Sequence, residues 1–386
     1  MWYDLVVIGG GINGCGIAAD AALRGLSVLL CEIDTLASKT SSKSSKLIHG
    51  GLRYLETYDF ALVKKARDEQ QLLLNIAPHL VHPCQFVLPH AEQIRALWQL
   101  RAGLFIYDHI SRNNHLPHSR YIQSKTDIQY FTPLEEQYKQ GFVFYDCTTD
   151  DVKLTKANAL QAEKHGAHIL THISLIKAKI LNNQWQLTFN AAEQEKILNI
   201  NTQTVINATG PWLKNTAEIL HTKLTHELSL IKGSHIIVPK LYEGEHAYIL
   251  QHTDKRVIFV IPYKDCHLIG TTDIPYTGNL NDVTIDSTEI DYLCNIINNY
   301  FKKKVSPHDY IDSWSGVRPL VAQTGHSASN LSRDYHLEYT TAPAPVVTVY
   351  GGKLTTYRKL ALEAVDLLKP IFPNLAASKT AYTTLP

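Results

Sequence analysis

The stretch "DLVVIGGGINGCGIAADAALRGLSVLLCEID", Asp4 to Asp34, decides the fold. An apolar run, Leu5 to Ile8, leads into Gly9, and Gly9, Gly11 and Gly14 keep the spacing GxGxxG before a helix-like segment, Ile17 to Leu23. A second apolar run, Ser27 to Cys31, closes a βαβ unit and ends on Glu32, close to the ~20 residues expected after the glycines. Each position has a physical reason. Gly9 permits the sharp turn, Gly11 lets the backbone approach a pyrophosphate, and Gly14 lets the helix pack tightly on the strand, while the free N–H groups of the helix start face the anion. A carboxylate at Glu32 accepts hydrogen bonds from ribose hydroxyls and repels a ribose 2′-phosphate, so the pattern reads as NAD or FAD rather than NADP. A glycine turn alone also occurs in ordinary α/β folds; the two strands, the helix and the acid together carry the dinucleotide reading.

Length and composition bound what surrounds this unit. The chain has 386 residues, 45% of them hydrophobic, enough for two or three domains with substantial cores. A net charge of +1 gives no reason to expect nucleic acid as a partner, and short basic clusters such as Lys64-Lys65 and Lys302-Lys303-Lys304 read as solvated faces. The six cysteines (Cys15, Cys31, Cys84, Cys147, Cys266, Cys294) form no CxxC and no zinc-like spacing, so we expect reduced, buried thiols and no metal. No uncharged apolar run approaches the roughly 18 residues of a spanning helix, and the chain starts almost directly in the fold, so a cytoplasmic location is expected. Internal repeats and low-complexity stretches are not visible in the sequence.

Periodicity places further elements. Leu62 to Ala77 reads as a helix. "AEQIRALWQLRAGLFIYDHI", Ala91 to Ile110, reads as a longer one. Its apolar residues (Ile94, Leu97, Trp98, Leu104, Phe105) spread over more than one face, which favours a buried packing helix over a membrane-surface stripe. Val152 to His165 is helical with Asp150 or Asp151 as N-cap, and strands follow near Ile169 and over Trp185 to Asn190. "TVINATGPW", Thr204 to Trp212, repeats the strand-to-glycine theme. Next come "SHIIVP", "AYILQ", "RVIFVIPY" and "HLIGTTDIPY", spaced like an antiparallel sheet, and a helix over Ser287 to Phe301. Val346 to Leu368 is again strand, Gly-Gly turn and helix. A nucleotide domain in separated pieces with a β-rich domain inserted differs from the continuous half of ordinary NAD dehydrogenases and favours FAD held by several loops.

The runs "TSSKSSKLIHGGLRYLE" (Thr40 to Glu56), "NATGPW", "LIKGSHIIVP", "IGTTDIPY", "SGVRPL" and "GGKLTTYRKLA" closely resemble the FAD-dependent glycerol-3-phosphate dehydrogenase family, from residue 3 to the end. The resemblance implies an α/β fold: an FAD-binding Rossmann-like domain of glutathione-reductase or D-amino-acid-oxidase type, over 1–80, 145–215 and 315–386. An inserted α+β substrate domain would occupy 81–144 and 216–314. It implies oxidation of sn-glycerol 3-phosphate to dihydroxyacetone phosphate, with electrons passing from FAD to membrane quinone at the cytoplasmic face of the inner membrane. The family usually continues into a further α-helical domain past the point matching Leu385-Pro386, which this sequence lacks; that leaves the assembly, a homodimer among the options, and the acceptor side open.

Residue roles follow from the same resemblance. Arg53, Arg318 and Lys353, helped by Tyr54 and Thr271, would grip the phosphate. A small phosphate dianion indeed needs several cations, because taking it out of water unpaired is costly. Removing a hydride from C2 also requires an acceptor for the hydroxyl proton, and His235 in "KGSHIIVP" is the candidate, with Arg318 the rival for stabilising the developing alkoxide. Lys353 lies beside them as a further catalytic candidate. Ser44, Ser45, Lys46 and Leu47 would neighbour the pyrophosphate or isoalloxazine, together with Thr209 and Gly210. Gly352, Lys353, Leu354 and Thr355 would aim backbone N–H groups at the flavin ring, where negative charge accumulates on reduction. Two other functions share these motifs: a glycerol-3-phosphate oxidase that hands electrons to oxygen and releases peroxide, and a non-catalytic flavin-binding remnant. The four groups Arg53, His235, Arg318 and Lys353 together argue against the remnant.

Overall fold

The computed structural model describes the chain except residues 113, 255, 323–333 and 343. Among the described residues two sheets, of eight and ten strands, organise it. The first has eight strands and centres on β1 (Trp2–Ile8), which pairs in parallel with β2 (Val28–Cys31) on one side and with Lys196–Asn207 on the other. Val346–Tyr350 extends the parallel array beyond Lys196–Asn207, and His168–Leu170 extends it beyond β2. Leu5, Val6, Val7 and Ile8 are all buried, because a central parallel strand is covered on both faces. One face packs on α1 (Ile12–Leu23) and on the helices Asp151–Lys164 and Tyr357–Asp366; the other meets Trp185, Leu187 and Phe189 of an antiparallel extension. Gly14 makes the first contact feasible: a Cβ there would stand 1.8 Å from the Gly9 carbonyl oxygen.

The second sheet has ten strands and is antiparallel except where Ala247–Gln251 runs parallel to Val81–Pro89. Its members Leu47–Ile48, Gln140–Thr149 and Asp312–Val321 come from stretches close in sequence to elements of the first sheet, so the chain crosses between the sheets repeatedly. Helix Ser287–Tyr300 covers one face; its N-cap Asp286 accepts from the Glu289 N–H while the Glu289 carboxylate accepts from the Asp286 N–H. On the other side lie Leu100, Leu104 and Tyr107 of α3 (Leu97–His109), against Phe86, Phe144, Ile249 and Leu268. The helix Phe60–Ile76 (α2) is capped by Asp59, and Asp150 rather than Asp151 caps Asp151–Lys164.

One sequence expectation needs correcting. The long helix over Ala91 to Ile110 begins only at Leu97; residues 91–96 form turns, and the His90 ring bonds the Arg95 carbonyl at 2.8 Å. Nor is α3 buried all round. Trp98 is 70% and Phe105 63% exposed, because the apolar residues do occupy two faces and the sheet covers just one of them.

Two histidines in the core of the second sheet set its acid limit. His246 and His267 pack around Tyr242, and the Leu241 N–H donates to His267 Nδ1 at 3.0 Å. Burial pushes both rings down to about 4, aided at His267 by the Lys240 ammonium. An unfolded histidine titrates near about 6.5, so the neutral rings contribute fully above that pH, and the contribution drains away as pH falls toward 4. Each ring accounts for on the order of 3 kcal/mol. We expect the melting temperature to be level from pH 8 to 7 and to fall steeply below pH 6.5, as a pH series of thermal melts will show; a level profile down to pH 4.5 would contradict the assignment.

Candidate active site

A cavity of about 1270 Å³ is walled by residues of both sheets. The Gly9 to Ile12 turn and Glu32 line it. Glu32 is locked by its own neighbourhood: Oε2 accepts from the Gly10 N–H at 2.5 Å and Oε1 from the Asp34 N–H at 2.9 Å. Ser41 Oγ accepts from the Ile12 N–H at 2.9 Å, so the Thr40–Ser42 turn folds over the start of α1. Asn13 Nδ2 donates to the Gly351 carbonyl at 3.0 Å and ties the first glycine turn to the last. Thr209, Gly210, Ser44, Ser45, Leu47, Gly352, Leu354 and Thr355 line the same space. A glycine turn at a helix start, an acid at the end of β2 and a second Gly-Gly turn fit a dinucleotide cofactor, and the residues present therefore suit FAD.

Two members of the expected cofactor set lie elsewhere. Gly14 packs α1 onto the strand and takes no part in the wall. Lys46 turns away, its Nζ 2.7 Å from Asp151 Oδ1, while Ser44 Oγ donates to Asp151 Oδ2 at 2.7 Å. The buried Asp151 thus holds the serine loop from behind, because Lys46 and Ser44 are its nearest donors.

The three expected cations line the same cavity. Arg53 and Tyr54 ride on the short segment Leu52–Thr57, Arg318 on the strand Asp312–Val321, Thr271 just after Cys266–Gly270, and Lys353 on the final glycine turn; all five line the cavity. Arg318 donates from Nη1 to Asp273 Oδ1 at 2.5 Å and from Nη2 to Thr271 Oγ1 at 2.9 Å. Lys353 Nζ sits 4.1 Å from the centre of the Tyr54 ring. The Thr271 to Asp273 loop is itself braced, since Thr272 Oγ1 donates to the buried Glu289 at 2.6 Å and Glu289 pairs with Lys232 at 2.7 Å.

His235 is fully buried and is not part of the cavity wall. Its Nε2 meets Ser45 Oγ at 2.8 Å, and Ser45 stands between it and the cavity. Burial, then the nearby Arg318 and Lys46 charges, hold the imidazole down to about 3, so it is neutral at ordinary pH. The imidazole on the wall itself is His49, 6.0 Å from the Phe259 ring and with its backbone N–H on Thr355 Oγ1 at 3.2 Å. The sequence alone gave His49 no role, nor any to Ser41 or Phe259. The glycine pair that follows His49 is the signal that could have marked it. Among the described residues no cluster of three or more metal-ligating side chains occurs, and no helix is long and apolar enough to cross a membrane.

Comparison with known proteins agrees with this geometry. The FAD dependent oxidoreductase family model matches residues 4–358. A glycerol-3-phosphate dehydrogenase of Pseudomonas aeruginosa is 46% identical over 388 residues, covering 100% of this chain and 75% of that protein. A D-erythritol 1-phosphate dehydrogenase of Brucella abortus is 45% identical over 386 residues, covering 99% of this chain and 77% of its own length. The crystal structure of a glycerol-3-phosphate dehydrogenase from Bacillus halodurans complexed with FAD superposes with a TM-score of 0.80 at 26% identity, covering 100% of this chain and 68% of that one.

Proposed function

Since the chain belongs to the FAD-dependent glycerol-3-phosphate dehydrogenase family, we propose that it oxidises sn-glycerol 3-phosphate to dihydroxyacetone phosphate and passes the electrons to a membrane quinone. The observation that carries the reading is that one cavity holds both parts such a reaction needs: dinucleotide-type glycine turns, and Arg53, Arg318 and Lys353 with Tyr54 and Thr271, line the same space. FAD, when bound, accepts the hydride from C2. The protein's own groups do the rest. The cations neutralise the phosphate dianion and fix the alcohol's orientation, which is where most of an oriented reaction's advantage arises. Arg318, held between Asp273 and Thr271, is rigid enough to stabilise an alkoxide as it develops.

For the proton, two imidazoles compete. His235 reaches the cavity only through Ser45, and an imidazole held down to about 3 is a weak acceptor. His49 lines the cavity directly and suits the proton better, with His235 orienting the Ser45 hydroxyl. The quinone and membrane part is supported by the exposed Trp98, Phe105 and Ile106 on α3, beside the exposed Arg101, a face suited to a lipid surface at the cytoplasmic side.

The test is the visible flavin spectrum of the purified holoprotein, sealed from oxygen, before and after sn-glycerol 3-phosphate. Bleaching is expected. A flavin that stays oxidised with this substrate and bleaches with D-erythritol 1-phosphate would move the substrate to the longer polyol phosphate, a reading motivated by the 45% identity to the Brucella enzyme. Stoichiometric peroxide in aerated buffer would replace quinone by oxygen as the acceptor.

A further inference from the structure

Beneath the loop that carries Arg53 lies a buried polar cluster drawn from three elements: Arg67 and Gln70 of α2, Tyr107 of α3, and Asp146 of the strand Gln140–Thr149. All four are at most 4% exposed. Their hydrogen bonds converge on one acceptor. Asp146 Oδ1 takes the Tyr107 hydroxyl at 2.6 Å, Gln70 Nε2 at 2.8 Å and the Gly50 N–H at 3.2 Å, with Arg67 Nη1 3.6 Å away. The same Gly50 N–H donates to the Tyr107 oxygen at 2.8 Å, and Gln70 Nε2 donates to the Ile48 carbonyl at 2.6 Å. The Arg67 guanidinium lies 4.6 Å over the Tyr107 ring and reaches Gln70 Oε1 at 2.6 Å. Burial pushes the Tyr107 phenol well above its usual range, so the group stays a hydroxyl and donates.

A buried ionic cluster is a poor device for general stability, because apolar residues of the same volume do as well or better. What this cluster does that apolar packing cannot is hold two backbone groups, Ile48 C=O and Gly50 N–H, in one orientation. Gly50 itself shows how close the approach is: a Cβ there would stand 2.6 Å from the Tyr107 oxygen and 2.4 Å from Arg67 Cδ. The next residue, Gly51, turns with φ +77° and opens the Leu52–Thr57 segment, whose Tyr54 N–H returns to the Gly51 carbonyl at 2.9 Å. Arg53 and Tyr54 are therefore set by a turn whose root is pinned.

We infer that Tyr107 and Asp146 are positioning residues that pin Gly50 and so hold Arg53 and Tyr54 on the cavity wall. The inference rests on the proposed function for its kinetic consequence, although the pin itself is a property of the fold. Tyr107 is not part of the cavity wall whereas Asp146 is, so Tyr107→Phe is the variant that separates positioning from contact, and its signature is a weakened grip on substrate with little change in the chemical step.

The experiment uses FAD-loaded Tyr107→Phe, with Asp146→Asn as the stronger variant. Anaerobic flavin reduction is followed against sn-glycerol 3-phosphate concentration, and amide hydrogen exchange is followed over residues 48–54. Losing the Tyr107 hydroxyl, which donates to Asp146 and accepts from Gly50, should raise the half-saturating substrate concentration about tenfold. The limiting reduction rate should stay within about twofold, with exchange at 48–54 faster and that of α2 unchanged. An unchanged half-saturation in Tyr107→Phe, whether or not its melting temperature drops, overturns the inference and leaves the cluster a purely structural one. Should Asp146→Asn fail to fold, Tyr107→Phe decides alone. If sn-glycerol 3-phosphate does not reduce even the unsubstituted protein, the substrate reading has failed by itself. The exchange arm then judges the pin: unchanged exchange in Tyr107→Phe overturns it, and faster exchange confined to 48–54 sustains it.

Discussion

Arg318→Ala is expected to lower kcat/KM for sn-glycerol 3-phosphate by about 100- to 1000-fold while FAD stays bound. Two losses add. The guanidinium is a firmly placed cation of the cavity, anchored to Asp273 at 2.5 Å and Thr271 at 2.9 Å. Taking it away also removes a counter-charge from Asp273, whose side chain is only 5% exposed, and a carboxylate with less positive charge beside it repels an incoming dianion more strongly. The stated loss corresponds to about 2.7–4.1 kcal/mol, which overlaps the about 3–5 kcal/mol that breaking such a pair costs. Arg318 itself is 25% exposed, so we take the lower part of that range. Arg318→Lys should recover little, because an ammonium cannot span Asp273 and Thr271 as a planar fork does. Steady-state kinetics and the visible spectrum check both arms. Normal kinetics would remove Arg318 from the substrate site, and a colourless protein would show that it serves to hold the cofactor.

The part of this architecture that depends on local pattern was legible. The turn from Gly9 to Gly14 and the acid at Glu32 follow from what a strand-turn-helix unit must do, and they sit where the spacing puts them. Arg53, Tyr54, Thr271, Arg318 and Lys353 reach one cavity from four separate segments, a convergence that no local pattern contains and that the family resemblance supplied. What the sequence could not show was direction. His235 lies on the strand Leu228–Pro239 two residues after Gly233, and Gly233 lines the cavity, so alternation puts both on one face. Ser45 then comes between the ring and the open space, a contact 190 residues away in sequence. Lys46 likewise follows Ser45 directly but is drawn to Asp151, 105 residues on. The α3 helix fails differently: its apolar count was right, but only the tertiary contacts decide that Leu104 and Tyr107 face the sheet while Trp98 and Phe105 face outward.

Gly14→Ala is expected to abolish FAD binding and to destabilise the first sheet by several kcal/mol. The added Cβ would lie 1.8 Å from the Gly9 carbonyl oxygen, and 3.5 Å from Val7 Cγ1. Backbone cannot swing aside as the end of a flexible side chain can, so α1 must lift from β1 along its length. Overpacking of this kind typically costs about 1–3 kcal/mol even where side chains yield, and a backbone obstacle lies beyond that range. The consequence for the cofactor is larger than for the fold. Lifting α1 moves the Ile12 N–H off Ser41 and separates Asn13 from Gly351, which dismantles both glycine turns at once. Gly103→Ala on α3 provides the opposite sign within the same chain. Nothing lies within 4 Å of its virtual Cβ, so the substitution should add about 0.5–1 kcal/mol through helix propensity and leave FAD content unchanged. Flavin absorbance per protein, together with melting temperature, separates the two. If Gly14→Ala retained its flavin, α1 and β1 could not be packed as closely as the Gly9 to Gly14 contact requires, and the cofactor site would have to be rebuilt around a looser turn.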